Sequence, residues 1–229
     1  MNTDELIAKF ETYADYFNCY EPPFSGPSTY FHRKAIETRR KYSSISEAFN
    51  DDQLFEYVYA TLTAWGMHRM GDTKTKLTDF KIFKDSFIQQ RDQICEAGSL
   101  EISEIPEEKI GNVAQCVWNI IDRLKVGVGK TKIIAGSKAL HHLLPDLVPP
   151  IDHQYTLMFF TGRKTFRPAD ESGLLNDLLP KFRKIAICCK DEIRARLKGG
   201  IVEPQMNTST TKIIDNAIVG YVLENPKEE

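Results

Sequence analysis

The sequence predicts an all-α fold. Apolar residues recur at helical intervals along almost the whole chain, and no segment keeps the strict alternation of a half-buried strand. With 229 residues, of which 41% are hydrophobic, the chain is long enough to form a substantial core. We predict a single all-α domain over residues 1–229. It can also divide into two lobes, residues 1–100 with 165–229 in one and residues 105–160 in the other.

Proline, glycine or a polar N-cap separates the predicted helices. They cover about residues 3–17, 28–42, 52–71, 76–97, 106–124, 130–144, 153–160, 173–198 and 209–224. A short polar side chain at a helix start accepts a hydrogen bond from the first free N–H groups. The expected N-caps of this kind are Thr3, Asp51 or Asp52, and Thr208 or Ser209. Pro106 suits the first turn of its helix, and Glu107 and Glu108 complement the helix dipole.

Charge is distributed unevenly along the chain. The formal net charge is −2, so the whole molecule is not a polycation. Residues 123–145 nevertheless carry basic side chains and no carboxylate, which can form a local anion-binding face. The basic residues of this segment are Arg123, Lys125, Lys130, Lys132 and Lys138. A second basic run, residues 181–198, also contains Asp191 and Glu192, and either binds an anion or forms a solvated helix surface.

Cysteine usage and hydropathy favour a cytoplasmic protein. The five cysteines are Cys19, Cys95, Cys116, Cys188 and Cys189. This odd, scattered set does not resemble a disulfide framework and suits a reducing compartment. The N-terminal segment is acidic and amphipathic, unlike a secretory signal. No apolar run approaches the roughly 20 residues of a membrane helix, so we expect no membrane partner; the oligomeric state stays open.

The segment KVGVGKTKIIAG, residues 125–136, first suggests a nucleotide-binding P-loop. That motif requires Gly, four residues and Gly-Lys-Ser/Thr, placed directly after a strand. Counting back from Gly129, the first glycine would fall at the position of Leu124. The preceding residues have helical rather than strand-like spacing. We therefore expect no nucleotide cofactor.

The same segment fits a helix-hairpin-helix better. Two glycines at a turn can adopt positive φ, and N–H groups at the start of the next helix can donate to a phosphate oxygen. The residues expected to bind DNA phosphate are Gly127, Val128, Gly129, Lys130 and Lys132. Such contacts position a protein on a duplex without reading its sequence. A tight turn between antiparallel helices, which also favours glycine, is the open alternative.

Residues 110–160 resemble the core of the helix-hairpin-helix DNA glycosylases. The matching pieces are VGVGK at 126–130, SKALHHLLPDLVPPID at 137–152 and HQYTLMFF at 153–160. The resemblance implies a two-lobed helical protein that binds duplex DNA. It also implies that Asp152 is the catalytic carboxylate, which would stabilise positive charge on the sugar as an N-glycosidic bond breaks. N-capping of the following helix is the competing explanation of Asp152.

Two departures from the family narrow the expected chemistry. Lyase-competent members carry a lysine where this chain has Thr131, so the resemblance favours a hydrolytic glycosylase without a Schiff-base step. Cys188 and Cys189 are adjacent and no cysteine follows at ligand spacing, so we expect no iron–sulfur cluster and no other cofactor.

A pocket for an extruded base requires aromatic or apolar walls. Trp65, Tyr155 and Lys138 are the candidate pocket residues, although Trp65 could instead belong to the core. His141 and His142 point in different directions on a helix, and we predict no metal site.

We therefore predict a DNA-binding protein with monofunctional DNA glycosylase activity in DNA repair, a hydrolase. A non-catalytic DNA-binding protein on the same scaffold, or an all-α protein-interaction protein, are the alternatives.

Overall fold

The computed structural model describes residues 2–19, 25–72, 75–199 and 206–226. Helices make up most of these ranges, and no strand occurs within them, which confirms the all-α prediction. In the same ranges, Leu77 and Gly127 form an isolated antiparallel β-bridge. No helix in the described ranges is long and apolar enough to cross a membrane.

The helices vary widely in length. They are α1 (Asn2–Ala8), α2 (Phe10–Cys19), α3 (Pro27–Arg40), α4 (Ile45–Ala48), α5 (Asp52–Leu62), α6 (Phe80–Gln89), α7 (Arg91–Ala97), α8 (Ile110–Arg123), α9 (Ile133–His141), α10 (Met158–Thr161), α11 (Glu171–Cys188), α12 (Lys190–Lys198) and α13 (Thr210–Glu224). Short 3₁₀ turns lie at Ile102–Glu104, Glu107–Lys109 and Pro168–Asp170, and π turns at Thr63–Met67 and His153–Leu157.

Three predicted long helices are broken in the structure. The helix expected over residues 3–17 divides at Lys9, the one over 76–97 at Gln90, and the one over 173–198 at Cys189. Gln90 has φ −102° and ψ 8°, and Cys189 has φ −110° and ψ 27°, so both leave the helical region. Because the apolar spacing continues across each break, periodicity alone could not locate it.

The predicted helix ends are partly confirmed. Asp51 caps α5 by accepting a hydrogen bond from Gln53 N, and Ser209 caps α13 by accepting one from Lys212 N. Thr3 is not an N-cap, because α1 already includes Asn2.

Helix α13 lies at the centre of the molecule. It packs along α2 and also contacts α10, α11, α12 and the His153–Leu157 turn. Every residue from Thr210 to Gly220 is buried. A helix covered on all sides buries whatever polar side chains it carries, and α13 carries several, which becomes important for the site.

Helices α8 and α9 and the connection between them, residues 124–132, occupy the position of the predicted hairpin. A Cβ atom on Gly136 of α9 would lie 2.7 Å from Ile121 Cγ2 of α8, so glycine permits the close approach of the two helices. The turn is also held by an extended segment that precedes α6. Thr78 N–H donates to Val126 O at 3.0 Å, and Val128 N–H donates to Lys76 O at 3.0 Å.

The hairpin glycines do not use positive φ, contrary to the expectation. The described glycines with positive φ are Gly26, Gly66, Gly71 and Gly162. Gly127 is instead explained by packing, because a Cβ atom there would lie 3.3 Å from Lys76 O. The extended segment could not run so close beside a larger residue without shifting.

Candidate functional site

A cavity of about 480 Å³ contains the candidate catalytic residue and all the candidate pocket residues. Asp152, Tyr155, Trp65 and Lys138 line it together, although they come from three separate parts of the chain. The walls are formed by the Thr63–Met67 turn, α9, the start of the His153–Leu157 turn and α13. The hairpin lies outside this cavity and borders a separate hollow of about 310 Å³.

Trp65 forms a fixed aromatic wall of the cavity. Its Nε1–H donates to Ser28 O at 3.1 Å, and its ring lies 5.3 Å from the His32 ring and 5.4 Å from the His142 ring, between centroids. The Lys138 Nζ lies 5.8 Å from the indole centroid, within the range of a cation–π contact. Trp65 therefore packs against the core and lines the cavity at once, so both sequence interpretations describe part of its role.

The two histidines that pack against Trp65 are buried and are linked by hydrogen bonds. His142 Nδ1 lies 2.8 Å from Lys138 O, an acceptor, so this nitrogen carries the proton. His142 Nε2 then accepts from His32 Nδ1 at 3.0 Å, and His32 Nε2 accepts from the Thr208 hydroxyl at 2.7 Å. His142 Nε2 can accept from His32 only while the His142 ring is neutral.

Burial explains why these rings stay neutral. Removal from solvent lowers the pKa of His142 to about 4, and it holds the pKa values of His32 and His141 well below the usual range. His141 stacks on His32 at 5.8 Å, and its Nδ1 donates to Val148 O at 2.8 Å. The described residues contain no group of three His, Cys, Asp or Glu side chains arranged to hold a metal ion.

Asp152 lines the cavity and is fixed by local hydrogen bonds. Its Oδ1 accepts from Tyr155 N at 2.7 Å and from Thr156 N at 3.3 Å, while its own N–H donates to Thr156 Oγ1 at 3.3 Å. The preceding residue, Ile151, donates its N–H to Ser137 Oγ of α9 at 3.1 Å. Asp152 is therefore an N-cap, as the competing interpretation predicts, and it is also a partly exposed lining residue.

Helix α13 contributes a buried polar cluster that sequence reasoning missed. Lys212 Nζ donates to Asp215 Oδ2 and to Asn216 Oδ1, each at 2.6 Å, and both Lys212 and Asp215 line the cavity. Burial raises the pKa of Asp215, and the nearby Asp152 carboxylate raises it further, whereas Lys212 lowers it. The signal was present in the sequence: Lys212, Asp215 and Asn216 lie among the apolar residues that make up most of this helix.

The tip of the hairpin is exposed. Val128, Gly129, Lys130 and Thr131 are all accessible to solvent. Within the described ranges, the backbone N–H groups of Gly129, Lys130 and Thr131 donate no hydrogen bond, whereas that of Val128 is used by Lys76. Lys130 likewise forms no ion pair with any described residue.

Next to the tip, the N-terminus of α9 is already occupied by a protein carboxylate. Lys132 N–H donates to Glu171 Oε1 at 2.9 Å and to Oε2 at 3.1 Å. Burial raises the pKa of Glu171, and the N–H bonds from Lys132 and Ile133 oppose that rise. Lys132 Nζ pairs with Asp122 Oδ1 at 2.8 Å. Of the expected phosphate-binding residues, Lys132 thus has both its backbone and its side chain engaged within the protein.

Comparison with known protein families, curated proteins and solved structures finds no match to this chain.

Acidic side chains neutralise much of the second basic run, residues 181–198. The ion pairs are Lys181 with Asp177, Lys184 with Asp4, Lys190 with Glu104, and Arg196 with Asp15. The first pair lies within α11, whereas the other three tie α11 and α12 to neighbouring elements. All four agree with the interpretation of the run as a helix surface.

Proposed function

We propose that this protein is a hydrolytic DNA N-glycosylase that binds duplex DNA through the hairpin and accepts an extruded base in the 480 Å³ cavity. The observation that carries the proposal is the convergence of Asp152, Tyr155, Trp65 and Lys138 on one cavity. In this proposal, α8, the hairpin and α9 are the helix-hairpin-helix of a two-lobed scaffold of the glycosylase type.

The exposed hairpin tip supports the DNA-binding step. The unpaired N–H groups of Gly129, Lys130 and Thr131 can donate to one phosphate group, and the Lys130 ammonium adds a charge. Glu171 satisfies the next N–H groups, so the phosphate contact is limited to the tip rather than to the N-terminus of α9. Lys132 then serves mainly to hold Asp122 beside the hairpin.

The cavity supports the base-binding step. Its volume falls in the roughly 300–1,000 Å³ range of small-molecule sites, and an indole ring held by Ser28, His32 and His142 offers a rigid stacking surface. Enzymes that act on a base inside a duplex must extrude it into such a pocket.

In the proposed function, Asp152 supplies the chemistry. Its Oδ1 is committed to the cap, and its Oδ2 accepts no hydrogen bond from a described residue. In the proposed reaction the C1′–N bond breaks, positive charge develops on the sugar, and the carboxylate stabilises that charge and orients a water molecule. The water oxygen bonds to C1′, one of its protons remains on the new hydroxyl, and the other ends on the departing base nitrogen.

A second candidate function is non-catalytic DNA binding on the same scaffold. It is favoured by the cap geometry, because the bonds from Tyr155 and Thr156 account for an aspartate at position 152 without any chemistry.

A base-release assay on a broad set of modified and mismatched duplexes separates the two candidates. The glycosylase predicts release of at least one base at a rate above that of a protein-free control. Duplex binding without release from any member of the set contradicts the glycosylase and leaves the second candidate.

A further inference from the structure

The α13 cluster places a charged group with a spare acceptor on the wall of the cavity. Asp215 is 5% exposed and Lys212 is 4% exposed. Asp215 Oδ2 is bound to Lys212 Nζ at 2.6 Å, but Asp215 Oδ1 is buried and has no hydrogen-bond partner among the residues that the structure describes.

The side chain of Asn216, next to Asp215, uses both its oxygen and its nitrogen in hydrogen bonds. Asn216 accepts from Lys212 through Oδ1 and donates through Nδ2 to Met206 O at 3.1 Å. A buried carboxylate oxygen normally has a donor, because desolvation without a hydrogen bond is unfavourable. A group that is left unsatisfied beside a cavity is therefore a place where a ligand can supply the missing donor.

We propose that Asp215 is the specificity residue of the cavity and that its Oδ1 accepts a hydrogen bond from the exocyclic amino group of an aminopurine base. The inference deepens the proposed function, and it rests on that function for the identification of the ligand as a base. Trp65 stacks on the ring, and Asp215 distinguishes an amino-substituted edge from an edge that offers only acceptors.

The lining of the cavity carries charges of both signs. Asp152 and Asp215 are acidic, and Arg69, Lys138 and Lys212 are basic. Burial raises the pKa of Asp215, and the Lys212 ammonium, which is held by Asp215 and Asn216, opposes that rise and favours the carboxylate form that accepts hydrogen bonds.

Free bases test this inference without DNA or catalysis. Binding is measured by quenching of Trp65 fluorescence in a Trp118→Phe background, since the chain has two tryptophans. The ligands are 9-methyladenine and 9-methylpurine, which differ by one amino group. We expect 9-methyladenine to bind at least about tenfold more tightly, the loss expected when a site's buried polar group is left unpaired.

The variant Asp215→Asn should abolish this preference. The amide oxygen would face Lys212, which can only donate, so the amide NH₂ would take the place of the free oxygen and repel the ligand's amino group. We expect the affinity ratio to fall to about one or below. The exposed Asp191→Asn in α12 is the matched control and should keep the wild-type ratio. Should Asp215→Asn not fold, the double variant Lys212→Gln, Asp215→Asn replaces the ion pair by neutral amides and serves for the same comparison.

Equal binding of the two ligands by the wild-type protein, an unchanged ratio in Asp215→Asn, or no binding of either ligand overturns the inference. Base discrimination that persists in a protein that neither binds duplex DNA nor releases a base contradicts the proposed function instead.

Discussion

Glu171 of α11 caps the N-terminus of α9 through Lys132, 39 residues earlier in the chain. Both carboxylate oxygens accept the same N–H, at 2.9 and 3.1 Å. An aspartate, asparagine or serine at the N-cap position usually performs this task, and Lys132 at that position offers no acceptor because an ammonium group only donates. The N-terminus of α9 is therefore capped by a tertiary contact rather than by its own N-cap residue.

Removal of this cap should destabilise the protein. Glu171→Ala loses charged hydrogen bonds to α9, and we expect the free energy of unfolding to fall by about 1–3 kcal/mol. Urea denaturation measures the change. The neighbouring Asp170 is exposed and makes no side-chain cap bond, so Asp170→Ala should change stability by less than about 0.5 kcal/mol. Equal effects of the two variants would contradict the assigned role of Glu171.

Two glycines should respond to alanine in opposite directions. At Gly136 the new Cβ atom would lie 2.7 Å from Cγ2 of the buried, β-branched Ile121, so Gly136→Ala should cost about 1–3 kcal/mol. At Gly111 in α8 no atom lies within 4 Å of a new Cβ, and Gly111→Ala should stabilise the helix by about 0.5–1 kcal/mol. Thermal denaturation of both variants measures the difference, and a destabilised Gly111→Ala would be inconsistent with this account.

The buried histidines should lower the stability of the protein in mild acid, at pH values above those at which ordinary carboxylates titrate. The pKa of His142 falls from 6.5 to about 4 in the folded protein, so the unfolded state binds more protons between these values. The contribution of His142 to the free energy of unfolding is then fully present above about pH 6.5 and is lost as the pH falls towards 4. The total loss is about 1.4 kcal/mol for each unit by which the two pKa values differ. Free energies of unfolding at pH 7, 6 and 5 measure this slope.

His142→Gln should flatten that slope, although it also weakens the fold by removing the bond to His32. The exposed His153→Gln is the control and should keep the wild-type slope. An unaltered pH dependence in His142→Gln would show that His142 is not the group responsible.

The two hairpin lysines should differ in their effect on DNA binding. Lys130→Ala removes an unpaired charge beside the free N–H groups, so duplex affinity should fall several-fold and the salt slope should decrease by about 1. Lys132→Ala should matter less, since its Nζ already pairs with Asp122. Lys41→Ala, at an exposed lysine after α3, is the control. Fluorescence anisotropy over a range of salt concentrations provides both quantities, and identical losses from Lys130 and Lys132 would argue against the proposed contact.

Helical periodicity was sufficient to predict the fold class and most helix positions. It failed at Lys9, Gln90 and Cys189, where the helix is interrupted while the apolar spacing continues. It also failed over residues 76–79, which form an extended segment beside the hairpin rather than the start of a helix. That segment is extended because it pairs with backbone groups about 50 residues away, and no local pattern carries that information.

The candidate site was predictable where single residues had distinctive chemistry. Asp152, Tyr155, Trp65 and Lys138 were selected for a carboxylate, aromatic rings and a cation, and they share a cavity. Asp215 was overlooked because an aspartate on a helix is ordinarily exposed; only the packing of α13 at the centre of the molecule buries it. The contacts of His32 with His142 join residues 110 positions apart and depend on the tertiary fold.

Single-turnover base release by wild-type protein and Asp152→Asn, measured together with duplex binding, tests the central claim most directly. Asparagine is as good an N-cap as aspartate, so the variant should keep the fold and the affinity for duplex DNA. We predict that base release falls at least about 100-fold, because the charge that stabilises the developing oxocarbenium is lost. Unchanged base release in Asp152→Asn would contradict the account.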